Sequence, residues 1–142
     1  MTDFIAVTPD FAVAPQITKE DIARAAQEGF KRIINNRPDG EAPGQMTSRD
    51  AAKAAADAGL EYYTLPFAGA PPADMVEATA TLLEEAERTL AFCRSGTRSI
   101  TVWAFAQAKG KLKTPDELIA LAAAAGYDLG PHKQTLVNLA AG

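Results

Sequence analysis

The 142-residue chain has one cysteine, one histidine and one tryptophan. A single cysteine excludes an internal disulfide, and a cytoplasmic protein needs none. Cys93 and His132 alone do not make a zinc set, so neither a metal nor another cofactor is expected. No apolar run approaches the roughly eighteen residues that suggest a membrane-spanning helix. The opening stretch MTDFIAVTPDF lacks the basic region and the apolar core of a secretion signal. Positive charge is also short: 14 Lys and Arg stand against 18 Asp and Glu, a formal net charge of −4. That balance argues against a nucleic-acid partner, which calls for a basic face. Low-complexity tracts and fixed-period repeats are missing as well. These absences point to a cytoplasmic protein that binds neither membrane nor nucleic acid.

Apolar residues make up 47% of the chain, enough to fill one core. A single domain over 1–142 is expected. FIAVTPDFAVA reads as two short runs split by Pro9-Asp10, a bent strand or small hairpin. Thr18 to Asp21 resembles a capping box, opening a helix with Ile22, Ala25, Ala26 and Phe30 on one face and Gly29 near its end. KRIINN is a compact strand candidate. Thr47 to Asp50 repeats the cap before an alanine-rich helix that stops at Gly59. EYYTLPF reads as a strand, PPADMVEATATLLEEAE as a helix and TLAFC as a buried strand. A helix follows over TRSITVWAFAQAKG. Thr114-Pro115-Asp116-Glu117 is the strongest cap, and a last helix covers about His132 to Ala140. Strands alternating with helices predict an α/β fold, a small parallel sheet flanked by helices in three layers. Ligands in such sheets bind beyond the carboxyl ends of the strands. NNRPDGE, FAGAPP and CRSGTRS would emerge there.

The lone thiol lies in FCRSGTRSI, between an apolar strand and a helix. The free N–H groups and positive end of that helix, with Arg94 and Arg98 nearby, favour a thiolate. Gly96 allows a tight turn in which successive N–H groups point inward as an anion nest. Arg98 can fork two hydrogen bonds to an oxyanion, and Ser95, Thr97 and Ser99 offer hydroxyl donors to sulfur or oxygen. The pattern fits sulfur attacking a group that carries several oxygens. The alternative is a buried strand-end cysteine with solvated arginines.

CRSGTRS, with four residues between Cys and Arg, resembles the active-site loop of rhodanese-type sulfurtransferases. The chain as a whole resembles the DUF442 proteins, the phosphatase-like domain of beta-lactamase-hydrolase-like proteins. The matching stretches are VAPQIT, GFKRIINNRPDGE, AGLEYYTLPF, LAFCRSGTRS and TPDELIALAAAAGYDL. The resemblance implies a fold similar to cysteine-dependent tyrosine and dual-specificity phosphatases, with the Cys loop at the edge of the sheet. It implies Cys93 as nucleophile, Arg98 as oxyanion ligand, loop amides from Arg94 to Arg98 as the cradle, and Arg37 facing the same mouth. Three departures stand out: the phosphatase loop is one residue longer, Phe92 occupies the place of a histidine, and the general acid is not obvious. Asp74, which also suits a helix cap, and Asp39, which also suits a turn, are the candidates.

Sulfur transfer through a Cys93 persulfide is the first expectation, because sulfite leaves without a proton. Phosphate-ester hydrolysis through a cysteinyl phosphate, aided by Ser99, is the alternative. It ordinarily gains about 10²–10⁴-fold from a proton donor. A non-catalytic anion-binding or redox-sensing module is the third. The ligand is then a small oxyanion or a sulfane-sulfur donor. The resemblance adds a metallo-beta-lactamase-like sulfur dioxygenase as partner. His132 is expected at the surface and Trp103 in the core.

Overall fold

A computed structural model describes residues 1–142. The fold is α/β, a five-stranded sheet with helices on both faces. The strands are β1 (Ile5–Thr8), β2 (Phe11–Ala14), β3 (Arg32–Asn35), β4 (Glu61–Thr64) and β5 (Thr89–Phe92). The helices are α1 (Lys19–Gln27), α2 (Ser48–Asp57), α3 (Ala73–Leu83), α4 (Thr97–Lys109), α5 (Pro115–Ala124) and α6 (Lys133–Ala141). The sheet order is β1-β2-β5-β3-β4. Four strands run parallel, and β1 pairs antiparallel to β2. The parallel sheet is as expected, and its one antiparallel edge is the small hairpin that FIAVTPDFAVA offered. The short Pro9–Asp10 link can return the chain only antiparallel, since a parallel neighbour needs a crossover of a dozen or more residues.

Alternation along the strands sorts the core into two layers. Phe11, Val13, Ile34 and Ala91 face a cluster with Trp103, Ile100 and Leu118. Ala12, Ala14, Ile33, Leu90 and Phe92 face one with Ile22, Ala51 and Ala55. Trp103 stacks on Phe11, with ring centroids 5.2 Å apart. Helix α4 packs against α3, α5 and α6 and buries most of its circumference, including Ser99 and Thr101.

Local chemistry sets the helix ends. Thr18 and Thr114 each close a reciprocal capping box, with Asp21 and Glu117 respectively. Three helices end alike. The N–H of Phe30 reaches Ala25 O, that of Leu60 reaches Ala55 O, and that of Tyr127 reaches Ala122 O. Each follows a glycine with positive φ, the Schellman arrangement. Phe30 therefore lies just past α1 and still joins its apolar layer. Two expectations about α3 are corrected. It stops at Leu83 rather than running to Glu87, where buried Arg32 takes the carbonyls of Leu82 and Glu85. Its N-cap is Pro72, and Asp74 accepts only the N–H of Met75. No helix is long and apolar enough to cross a membrane.

Candidate active site

The register of β2, β3 and β5 sets Ala14 and Asn35 on either side of Phe92. The next residues emerge together at one carboxyl end. The N–H of Asn36 donates to Phe92 O at 2.9 Å, and that of Cys93 lies 3.4 Å from Ala14 O. The Cys loop thus leaves the central strand, between its two neighbours, rather than a marginal one. Cys93 is fully buried, whereas Arg94, Ser95 and Thr97 are exposed.

The loop turns on Gly96, the N-cap of α4, with φ 91° and ψ −14°. That left-handed conformation suits glycine and strains other residues. It brings the Gly96 N–H to 3.1 Å from Cys93 Sγ. This N–H, at the start of α4, is a donor aimed at the sulfur. Arg98, two residues later, lies beside that sulfur. Its guanidinium is held more firmly protonated by Glu41 first, against the opposing effect of burial, and then by the Cys93 charge.

Arg98 does not project freely into the mouth. It grips Glu41 with two parallel hydrogen bonds, Nη1 to Oε2 at 2.9 Å and Nη2 to Oε1 at 2.8 Å, and Nη1 also donates to Phe67 O at 3.0 Å. Arg37 is buried and shares the same carboxylate, Nε to Glu41 Oε1 at 2.9 Å, while its Nη1 donates to Gln16. Hydrogen bonds from Arg98 outweigh burial and, with those from Arg37, lower the Glu41 carboxyl to about 2. Glu41 is therefore ionised at neutral pH and has no proton to give.

The other predicted residues fall around this centre. Ser99 is buried and donates to Asn36 Oδ1 at 2.8 Å, so its proton is committed to Asn36 rather than to sulfur. Asn36 in turn donates to Leu65 O. The hydroxyls of Ser95 and Thr97 lie 3.0 Å apart and bond to each other. Asp39 accepts the N–H of Ser48 at the start of α2, and Asp74 that of Met75, so both candidate acids serve helix starts. No group of three or more His, Cys, Asp and Glu side chains is gathered to hold a metal ion. His132 lies edge-on to Phe105, half-buried and away from the loop.

Three residues at the site were not singled out from sequence: Glu41, Asn36 and Tyr127. Glu41 had a signal, four positions after Arg37 in RPDGE. The Tyr127 hydroxyl donates to Ser95 O at 2.8 Å. Burial first, and the Cys93 charge second, hold that phenol protonated beyond its ordinary range.

Comparison with known proteins agrees with the architecture. Residues 3–110 match the family model described as the phosphatase-like domain of beta-lactamase hydrolase-like protein. A beta-lactamase hydrolase-like protein of Xylella fastidiosa (strain Temecula1) is 35% identical over 125 residues, 84% of this chain. The match spans only 28% of that longer relative. A solved structure from Neisseria meningitidis Z2491, provisionally described as a phosphatase, superposes with a TM-score of 0.82 at 32% identity. It covers 96% of this chain and 97% of its own. Tk-PTP in its active form gives a TM-score of 0.71 at 15% identity, covering 96% and 95% of the two chains, a likeness of fold.

Proposed function

Because the chain belongs to the phosphatase-like domain family of beta-lactamase hydrolase-like proteins, we propose that it is a cysteine-dependent enzyme acting on a tetrahedral oxyanion, with phosphate-ester hydrolysis as the first reading. The observation that carries it is the Gly96 N–H on Cys93 Sγ, at the start of α4 and beside Arg98. The phosphatase-fold neighbours favour this reading over sulfur transfer, the first expectation from sequence. The Cys93 thiolate attacks phosphorus, an S–P bond forms, and the ester P–O bond breaks with its electron pair on the leaving oxygen. Water then attacks phosphorus, a proton is lost to solvent, and phosphate and thiolate are released. The loop N–H groups and Arg98 hold the equatorial oxygens, where charge accumulates. Glu41 is ionised, and Asp39 and Asp74 are engaged at helix starts. The leaving group then departs without a side-chain proton, which selects aryl esters, whose phenolates are stable anions.

Sulfur transfer is the second reading. The four-residue spacing from Cys93 to Arg98 and the ionised Glu41 favour it. Here the thiolate attacks the outer sulfur of thiosulfate, and a new S–S bond forms as the old one breaks. Sulfite leaves with the electron pair, and an acceptor thiolate later takes the sulfane sulfur from Cys93. A sulfur dioxygenase of the metallo-beta-lactamase type would be the partner that consumes the product.

One pair of assays separates the two, each on wild type and Cys93→Ser. Cys93-dependent release of p-nitrophenol from its phosphate ester, with no mass change after thiosulfate, supports the phosphatase. A gain of one sulfur atom on wild type alone, without ester hydrolysis, replaces it with the sulfurtransferase. Neither signal overturns both.

A further inference from the structure

Tyr127 lies beyond the 3–110 region matched by the family model, yet its hydroxyl touches the Cys loop. We propose that Tyr127 is a positioning residue, a latch that sets the polarity of the Ser95–Gly96 peptide. In doing so it aims the Gly96 N–H at the reacting sulfur. The inference rests on reading this loop as an oxyanion cradle.

The argument starts at the end of α5. The sequence AAAAGY closes it with the Gly126 turn, φ 96°, and the N–H of Tyr127 returns to Ala122 O at 2.8 Å. Phe30 and Leu60 occupy the same place after α1 and α2, and both are buried in the core as plain hydrocarbons. Only the third such position carries a hydroxyl, and it ends at the Cys loop. Buried Leu129 follows two residues later. The tyrosine is thus fixed at its own backbone and does not hang on a free loop.

Ser95 C=O and Gly96 N–H belong to one peptide plane. In a trans peptide these groups point in opposite directions. The carbonyl accepts from Tyr127 Oη at 2.8 Å, and the N–H donates to Cys93 Sγ at 3.1 Å. Rotating this plane would turn a carbonyl dipole toward the sulfur and remove a donor from the cradle. Glycine at 96 tolerates either orientation, so its backbone does not choose between them. Tyr127 supplies the choice. It also occupies the space beside the glycine: a Cβ at position 96 would run into Tyr127 Oη and lie 3.0 Å from Cζ. Its neighbourhood keeps the phenol protonated, as a donor must be.

The test measures alkylation of Cys93 by two probes of similar size, anionic iodoacetate and neutral iodoacetamide, and does not depend on the natural substrate. Tyr127→Phe keeps the ring and removes the latch. The expected result is a fall of about tenfold in the iodoacetate-to-iodoacetamide rate ratio, the scale of one charge-assisted hydrogen bond. Gly96→Ala, which displaces the same tyrosine, should lower the ratio similarly, and the double variant should add little to either single change. An unchanged ratio in Tyr127→Phe overturns the latch. So does equal slowing of both probes with a lowered unfolding temperature, which would mark a merely structural tyrosine. So does full additivity of the two substitutions. A latch that passes while neither ester hydrolysis nor sulfur uptake occurs would leave the positioning role standing and the enzymatic reading refuted.

Discussion

Replacing Glu41 by glutamine should destabilise the protein at neutral pH and leave it almost unaffected near pH 2. The carboxylate accepts three hydrogen bonds from two arginines. Those contacts lower its titration from an ordinary 4.5 to about 2. At about 1.4 kcal/mol per pH unit, that gap corresponds to roughly 3 kcal/mol as an upper bound. The Glu41 side chain keeps 24% of its surface exposed, and solvent screening reduces the figure to about 1–2 kcal/mol. The sign follows from linkage. The folded carboxyl titrates below the unfolded one, so its contribution is fully present above about pH 5 and is lost as the pH falls toward 2. Glutamine has no such titration. The difference in unfolding free energy between wild type and Glu41→Gln should therefore be full at pH 7, narrow below pH 4.5 and almost vanish near pH 2. Urea unfolding followed by circular dichroism at pH 7, 5, 4 and 3 measures it. Asp21, also lowered to about 2, titrates in the same window but is common to both proteins and cancels. A gap that stays constant from pH 7 to pH 3 would refute the argument, because the double arginine grip on an ionised carboxylate would then contribute nothing.

Two further substitutions test the frame that supports the site. Arg32 is buried, and its guanidinium serves Thr89 Oγ1 and the carbonyls of Leu82, Glu85 and Glu87. Arg32→Met should cost about 3 kcal/mol in urea unfolding, the sum expected when several partly buried acceptors lose their donor. Thr114→Ala removes the side-chain acceptor of a reciprocal cap and should lower the unfolding free energy by about 1 kcal/mol.

Helix starts were legible because their chemistry is local. The threonines at 18, 47 and 114 sit within three residues of the N–H groups they accept. Cys93 and Arg98 were legible for the same reason, since strand, turn and helix follow one another without a break. The sheet order was not. Placing β5 between β2 and β3 depends on pairings 57 or more residues apart, and no short window contains them. The remaining site residues share that difficulty. Asn36 meets Ser99 across 63 positions, Glu41 meets Arg98 across 57, and Tyr127 meets Ser95 across 32. In isolation Glu41 reads as part of a polar turn and Tyr127 as a residue after a helix. Only the folded neighbourhood turns one into an arginine clasp and the other into a contact on the Cys loop.

The strand that delivers the cysteine is the last of the five along the chain, yet it lies in the middle of the sheet. During synthesis, residues 1–88 contain the β1–β2 hairpin and the β3–β4 pair, with no strand to join them. Each half presents an open edge until β5 enters and hydrogen-bonds to both. Closure of the sheet and construction of the thiol loop are therefore one event, because Cys93 is the next residue after the joining strand. A nascent chain stalled before Thr89 would hold two adhesive half-sheets and no nucleophile. Quality control that recognises exposed strand edges would thereby also intercept chains that have yet to acquire their chemistry.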